Sequence, residues 1–189
     1  MEVTGRGFAT ILHGLLFGGF FLMALYGLGF DLCRSAFMKA PPALTERGRR
    51  WERVYLIVIT AFGWLAVLSG AYIVYPWYRA AAPPGTADLS PYPQRLLMSS
   101  AATSGWHTLG MEWKEHAAWL AAICMTAAAY LLTAYGTAMK DHPEIRTAVR
   151  GFILTALLSA GIAGFFGAML SKYAPIQGGP AVHLMGNSR

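Results

Sequence analysis

Residues 54–78 read VYLIVITAFGWLAVLSGAYIVYPWY, with no Asp, Glu, Lys or Arg. A run this long and apolar exceeds the roughly 20 residues needed to cross a hydrocarbon core of about 30 Å. Segments 7–30, 116–139 and 151–171 also lack those four residue types. In lipid the backbone has no water to bond to, so runs of this kind must be helical. The expectation is therefore an all-α integral membrane four-helix bundle of up-down order, a single transmembrane domain over 1–189. Its helices are expected near 7–30, 54–78, 112–139 (starting at Glu112, just ahead of the uncharged run) and 151–171. No internal repeat is evident.

Composition points the same way. Hydrophobic types make up 56% of the chain and charged types 13%, about half the charge of an ordinary soluble domain. A soluble fold this apolar would expose large sticky patches, whereas a bilayer accepts them. The net charge of +6 invites a nucleic-acid reading, but the bases are sorted into alternate connectors. Arg34, Lys39, Arg47, Arg49, Arg50 and Arg53 fall in 31–53, and Lys140, Arg146 and Arg150 in 140–150. The connector 79–115 has only Arg79, Arg95 and Lys114. Such asymmetry sets orientation in a membrane and contact with anionic lipid. It places the two basic connectors in the cytoplasm, and the outer loop 79–111 and both termini outside a cytoplasmic (inner) membrane. Aromatic belts agree, with Trp51 and Tyr55 at one end of the second span and Tyr75, Trp77 and Tyr78 at the other. The first span follows the N-terminus without a small-residue cleavage site and is expected to stay as an anchor.

Within the outer loop, Pro83, Pro84 and Gly85 break regular structure, and SPYPQRLLMSS (90–100) is expected to form a short helix on the outer surface. Cys33 and Cys124 lie at different depths, so a disulfide between them is not expected. Small residues four apart allow close helix approach in lipid. That pattern occurs at Gly14–Gly18 and in two ridges of the last span, Ser159-Ala163-Gly167 and Ala160-Gly164-Ala168.

Ionisable residues inside a membrane are costly and mark function. His13 lies about two turns into the first span, and His116 opens the third. The topology puts both in the outer leaflet, on helices that face each other diagonally. Two neutral imidazoles on facing helices are the axial ligand set of b-type haem. His13 and His116 are the expected haem or metal ligands, with Gly14 and Gly18 leaving room for the ring and His107 in the outer loop as the next choice. A single ligand, His13, would suffice for a (bacterio)chlorophyll lined by Phe17, Phe20 and Phe21. His142 and His183 are expected to be solvated. Glu112 and His116 are four apart and share a helix face, with Glu115 a quarter turn away and Trp113 beside them. A carboxylate beside an imidazole suits proton exchange with a quinol, and equally suits a charged helix start at the interface.

In helix count and outer-leaflet histidines the chain resembles small four-helix cytochrome b-type anchor subunits of quinone-linked complexes. That resemblance implies a membrane subunit of a respiratory or photosynthetic electron-transfer complex, with at most one haem b near the outer face and access to the quinone pool. Its partners would be other membrane subunits and a soluble outer-side electron carrier, with catalysis belonging to the complex. The alternative is a cofactor-free accessory subunit that docks a partner through its outer loop. Transport is disfavoured because the spans as read lack an intramembrane carboxylate.

Overall fold

The computed structural model describes residues 2–37, 45–136 and 141–183. Lys39 and Lys140 lie outside the described residues, as do the side chains of Cys33, Arg34 and His183. The chain is mostly helical, with four helices long and apolar enough to cross a membrane. A short strand β1 (Glu2–Thr4) precedes α1 (Gly5–Asp31), whose helical backbone runs on to Phe37. Then come α2 (Glu46–Tyr78), the short α3 (Pro93–Met98), α4 (Ala101–Tyr135), α5 (Pro143–Tyr173) and strand β2 (Ala181–His183). The two strands pair antiparallel, Val3 opposite Val182.

Each long helix starts on a recognisable signal. Thr4 Oγ1 accepts the Gly7 N–H at 3.1 Å and Thr45 Oγ1 that of Gly48 at 3.1 Å. Ser100 Oγ accepts from Ala102 N–H at 3.2 Å, opening α4. These side chains satisfy amide groups that have no partner within the helix. At α5, Pro143 occupies the first turn beside Glu144, and Lys172 lies in the last, complementing the helix dipole.

The helices pack in a ring, α1 on α2, α2 on α4, α4 on α5 and α5 on α1, so α1 and α4 are diagonal. Neighbours run in opposite directions. Tyr55, early in α2, donates to the Ala24 carbonyl late in α1 at 3.1 Å. At the other end, Arg6 of α1 lies over the Trp77 ring of α2, and Trp106 of α4 stacks on Tyr173 of α5. The central core joins Phe21, Leu25, Leu56, Ile59, Ala121, Met125 and Ala156. A second cluster of Tyr78, Leu97, Met111, Leu170 and Ala174 closes the end that carries the strands. Only 17–33% of each helix's apolar window is buried inside the bundle. The outward faces, with Leu15 73% and Met23 76% exposed, therefore need an apolar solvent.

Three expectations are corrected. First, the third helix begins at Ala101, so residues 101–111 of the supposed outer loop are helix, and it totals 35 residues. Packing holds this extension, since Gly110 leaves room for the Phe166 ring, which a Cβ there would meet at 2.8 Å. Second, of the two ridges in α5, Ser159 and Ala163 are buried while Gly164 and Ala168 face outward. Third, Gly14 has no neighbour within 4 Å of an added Cβ and marks no close approach. The close contacts fall instead at Gly63, against the Phe21 ring, and at Gly70, against the His13 ring. In the segment expected to form a short helix, Pro93–Met98 is helical, with Pro93 and Leu97 buried.

Candidate functional site

The early start of α4 changes where its charges lie. At 1.5 Å per residue, Lys114 sits about 20 Å along the helix from Ala101 rather than at its mouth. Glu112, Lys114 and Glu115 therefore lie inside a 35-residue helix rather than at its start. Lys114 and Glu115 line a cleft of about 340 Å³ between α2 and α4, within the range of small-ligand sites, while Glu112 lies outside its lining. His13 of α1 closes its back, and its walls are largely apolar, including Ala66, Val67, Ala71, Met111 and Trp119.

The His13 ring is fixed by α2. Its Nδ1 lies 3.0 Å from Ser69 Oγ, whose own hydroxyl is directed to the Ala66 carbonyl at 3.3 Å. With the serine proton so used, Nδ1–H donates to the serine oxygen and Nε2 keeps its lone pair. Lys114 Nζ faces that nitrogen at 3.5 Å, a long contact across the bundle's diagonal. Glycine makes both groups fit, since a Cβ at Gly70 would strike the His13 ring and one at Gly167 would meet Lys114 Nζ at 3.3 Å. Among the described residues, Lys114 has no carboxylate within ion-pair distance.

The two glutamates turn to Arg79 at the end of α2. Arg79 Nη2 donates to Glu115 Oε1 at 3.1 Å and to Glu112 Oε1 at 3.3 Å, and its Nε donates to the Tyr75 hydroxyl at 2.8 Å. His116 also lines the cleft. Its Nδ1 donates to the Glu112 carbonyl at 2.8 Å, which leaves Nε2 as the ring nitrogen not engaged by the helix. A backbone carbonyl fixing one ring nitrogen while the other stays free is the usual state of a ligating histidine. His13 and His116 thus line one cleft. The Glu112 carboxylate goes to Arg79 rather than to the His116 ring.

Other expected site residues are not brought to the cleft. Trp113 is 44% exposed and points away, and Trp119 takes its place in the lining. Phe17 and Phe20 pack on Phe62, and Phe21 is buried in the core. His107 is a buried helical residue with both nitrogens engaged, Nδ1 at 2.8 Å from the Tyr78 hydroxyl and Nε2 at 3.2 Å from Gln94 Nε2. It ties α2, α3 and α4 together and has no free ligand atom. His142 is exposed and pairs with Glu144 at 2.8 Å. No group of three or more His, Cys, Asp and Glu side chains converges among the described residues.

Sequence reasoning missed Lys114, Ser69, Gly70 and the Arg79–Tyr75 pair as parts of one site. The backbone adds a feature that the residues do not announce, π-helical turns at Leu12–Gly19, Gly70–Val74 and Trp106–Met111. The first holds His13, the second supplies four cleft residues and the third ends on Met111 at the cleft wall. Such widened turns displace side chains from the regular helical register and recur at functional sites. Comparison with known proteins gives no matching family model, no matching curated protein and no matching solved structure.

Proposed function

We propose that the protein is a membrane subunit of an electron-transfer complex and that its α2–α4 cleft binds a quinone headgroup. The observation that carries this reading is a cleft within membrane-length helices that combines apolar walls with Lys114, His13 and His116. A quinone is an apolar ring with two carbonyl acceptors. Lys114 Nζ supplies a charged donor for one carbonyl, and Ala66, Val67, Ala71 and Trp119 supply the surface for the ring. His13 and Glu115 are groups able to exchange protons with the reduced form. The test is titration of the purified protein in nanodiscs with a short-tailed quinone, read by quenching of Trp119 fluorescence against a Trp119→Phe control. Absence of quenching that depends on Trp119 would remove the reading.

A second reading, one b-type haem, is favoured by the free Nε2 of His116 and by the shared cleft. Lys114 stands at His13 Nε2, so ligation there requires the lysine to withdraw. If haem is held, His13→Ala and His116→Ala each abolish the reduced-minus-oxidised absorption signal, and His142→Ala leaves it intact. A colourless protein isolated gently with its neighbours would end the haem reading while leaving the quinone test open.

The orientation belonging to both readings puts the strands, the 79–100 connector and the cleft mouth on the outer side, on the strength of the Lys/Arg distribution. α3 then lies at the outer surface. In sealed cells, an impermeant thiol reagent should modify Ser99→Cys and leave Ser35→Cys untouched. The opposite pattern would invert the topology.

A further inference from the structure

Two sets of residues border the cleft differently. On the side toward the connector, Arg79 reaches from the last turn of α2 to Glu115 and Glu112 of α4, with its guanidinium 5.2 Å from the Tyr75 ring centre. Tyr75 and Glu115 both line the cleft, and the Glu115 side chain is only 20% exposed. This bridge ties the two walls together at the watery end. On the flank, the lining residues Tyr72 and His116 are exposed, Tyr72 at 72%. Both lie within helices long and apolar enough to cross a membrane. A lining residue that is also exposed marks where a cleft opens, and here that is the flank of the bundle.

We infer that the cleft is filled sideways from the bilayer, between Tyr72 of α2 and His116 of α4, while the Arg79 bridge closes it to water. The ligand is then a membrane-dissolved molecule, with an electronegative head that reaches Lys114 and a hydrocarbon tail left among the lipids. Charge placement agrees. Arg79 is matched by the two carboxylates at the mouth, while Lys114, deeper in, has no carboxylate partner among the described residues and draws an electron-rich head inward. This inference deepens the quinone reading by assigning the route and the tail, yet it can be tested without a quinone.

The full chain is placed in nanodiscs with Cys33→Ala and Cys124→Ala, and Ala71→Cys, a cleft-lining position, serves as reporter. Two maleimides are compared, one sulfonated and confined to water, the other alkylated and dissolved in the bilayer. The expected result is modification by the alkylated reagent and loss of modification by the sulfonated one. Arg79→Ala then raises the sulfonated rate by about tenfold, since two ion-pair contacts and a ring contact are removed. The alkylated rate stays as before. Modification of Ala71→Cys by the sulfonated reagent as fast as a Ser99→Cys control, with Arg79 intact, overturns the inference. So does protection from both reagents, which would mean a closed cavity. Val67→Cys replaces Ala71→Cys if that variant does not fold. Failure here leaves quinone binding standing, and failure of quinone binding leaves the route standing.

Discussion

Lys114→Met should weaken binding of a short-tailed quinone by about 10- to 100-fold. Hydrogen bonds to a charged donor contribute roughly 1.5–3 kcal/mol, and each 1.4 kcal/mol is a factor of ten in affinity. Methionine retains the length and apolar stem of lysine, so the packing against Gly167 is nearly preserved. The stability of the protein itself should not fall. A half-buried ammonium with no carboxylate partner among the described residues costs free energy in the ligand-free bundle, and its removal should leave the melting temperature equal or higher. The pair of measurements therefore separates a binding role from a structural one. Arg95→Met, on the exposed side of α3, should change neither. Unchanged quinone affinity in Lys114→Met would show that the headgroup is held elsewhere. A lower melting temperature would show that the Lys114–His13 contact holds α4 to α1.

Gly63→Leu should prevent the bundle from packing. A Cβ at this position would lie 2.8 Å from the Phe21 ring, and Phe21 is itself 3% exposed among Leu25, Leu56 and Ile59. The ring has nowhere to go, and three further carbons would follow the first. Overfilling a packed core costs typically 1–3 kcal/mol and more when backbone must move. In a membrane, where close helix approach is itself the main attraction, separating α1 from α2 removes much of what holds them. The expected outcome is aggregated protein on size exclusion, or a much lower melting temperature. Gly164→Leu is the informative comparison. Gly164 faces outward, with Leu22 Cδ2 at 4.0 Å as its nearest neighbour, and the leucine should be accepted as one more lipid-facing side chain. If the two variants behave alike, the assignment of inner and outer faces is wrong.

That contrast also shows what the sequence revealed and what it hid. The four spans were legible because length and uninterrupted hydropathy are local properties, complete within each segment. The face of a helix is not local in that sense. Gly164 and Gly63 are both glycines in apolar runs, and only the bulk of Phe21 on another helix distinguishes them. The start of α4 was hidden for a related reason. Residues 101–111, AATSGWHTLGM, contain two glycines and polar residues that read as loop. They are helical where Trp106 and Gly110 dock on Tyr173 and Phe166 of α5, a contact with no local trace. His13 was legible as an ionisable residue deep in a span. Lys114 was not, because a late helix start put it at the interface, where a lysine is unremarkable. Ser69 and Gly70 carried no signal, since hydroxyl and glycine residues are common in membrane helices for other reasons.

The pairing of Glu2–Thr4 with Ala181–His183 has a consequence of a purely combinatorial kind. Hydrogen-bonded strands must sit in one compartment, so the number of crossings between them has to be even. Four crossings satisfy that parity, whereas losing or adding one would pull the strands apart. Gly5 N–H to the Pro180 carbonyl at 2.7 Å and Arg6 N–H to the Gly178 carbonyl at 3.0 Å extend the same tie. The tie therefore keeps the first and last described residues at one end of the four-helix bundle. Any evolutionary or engineered change of orientation would have to turn all four helices together.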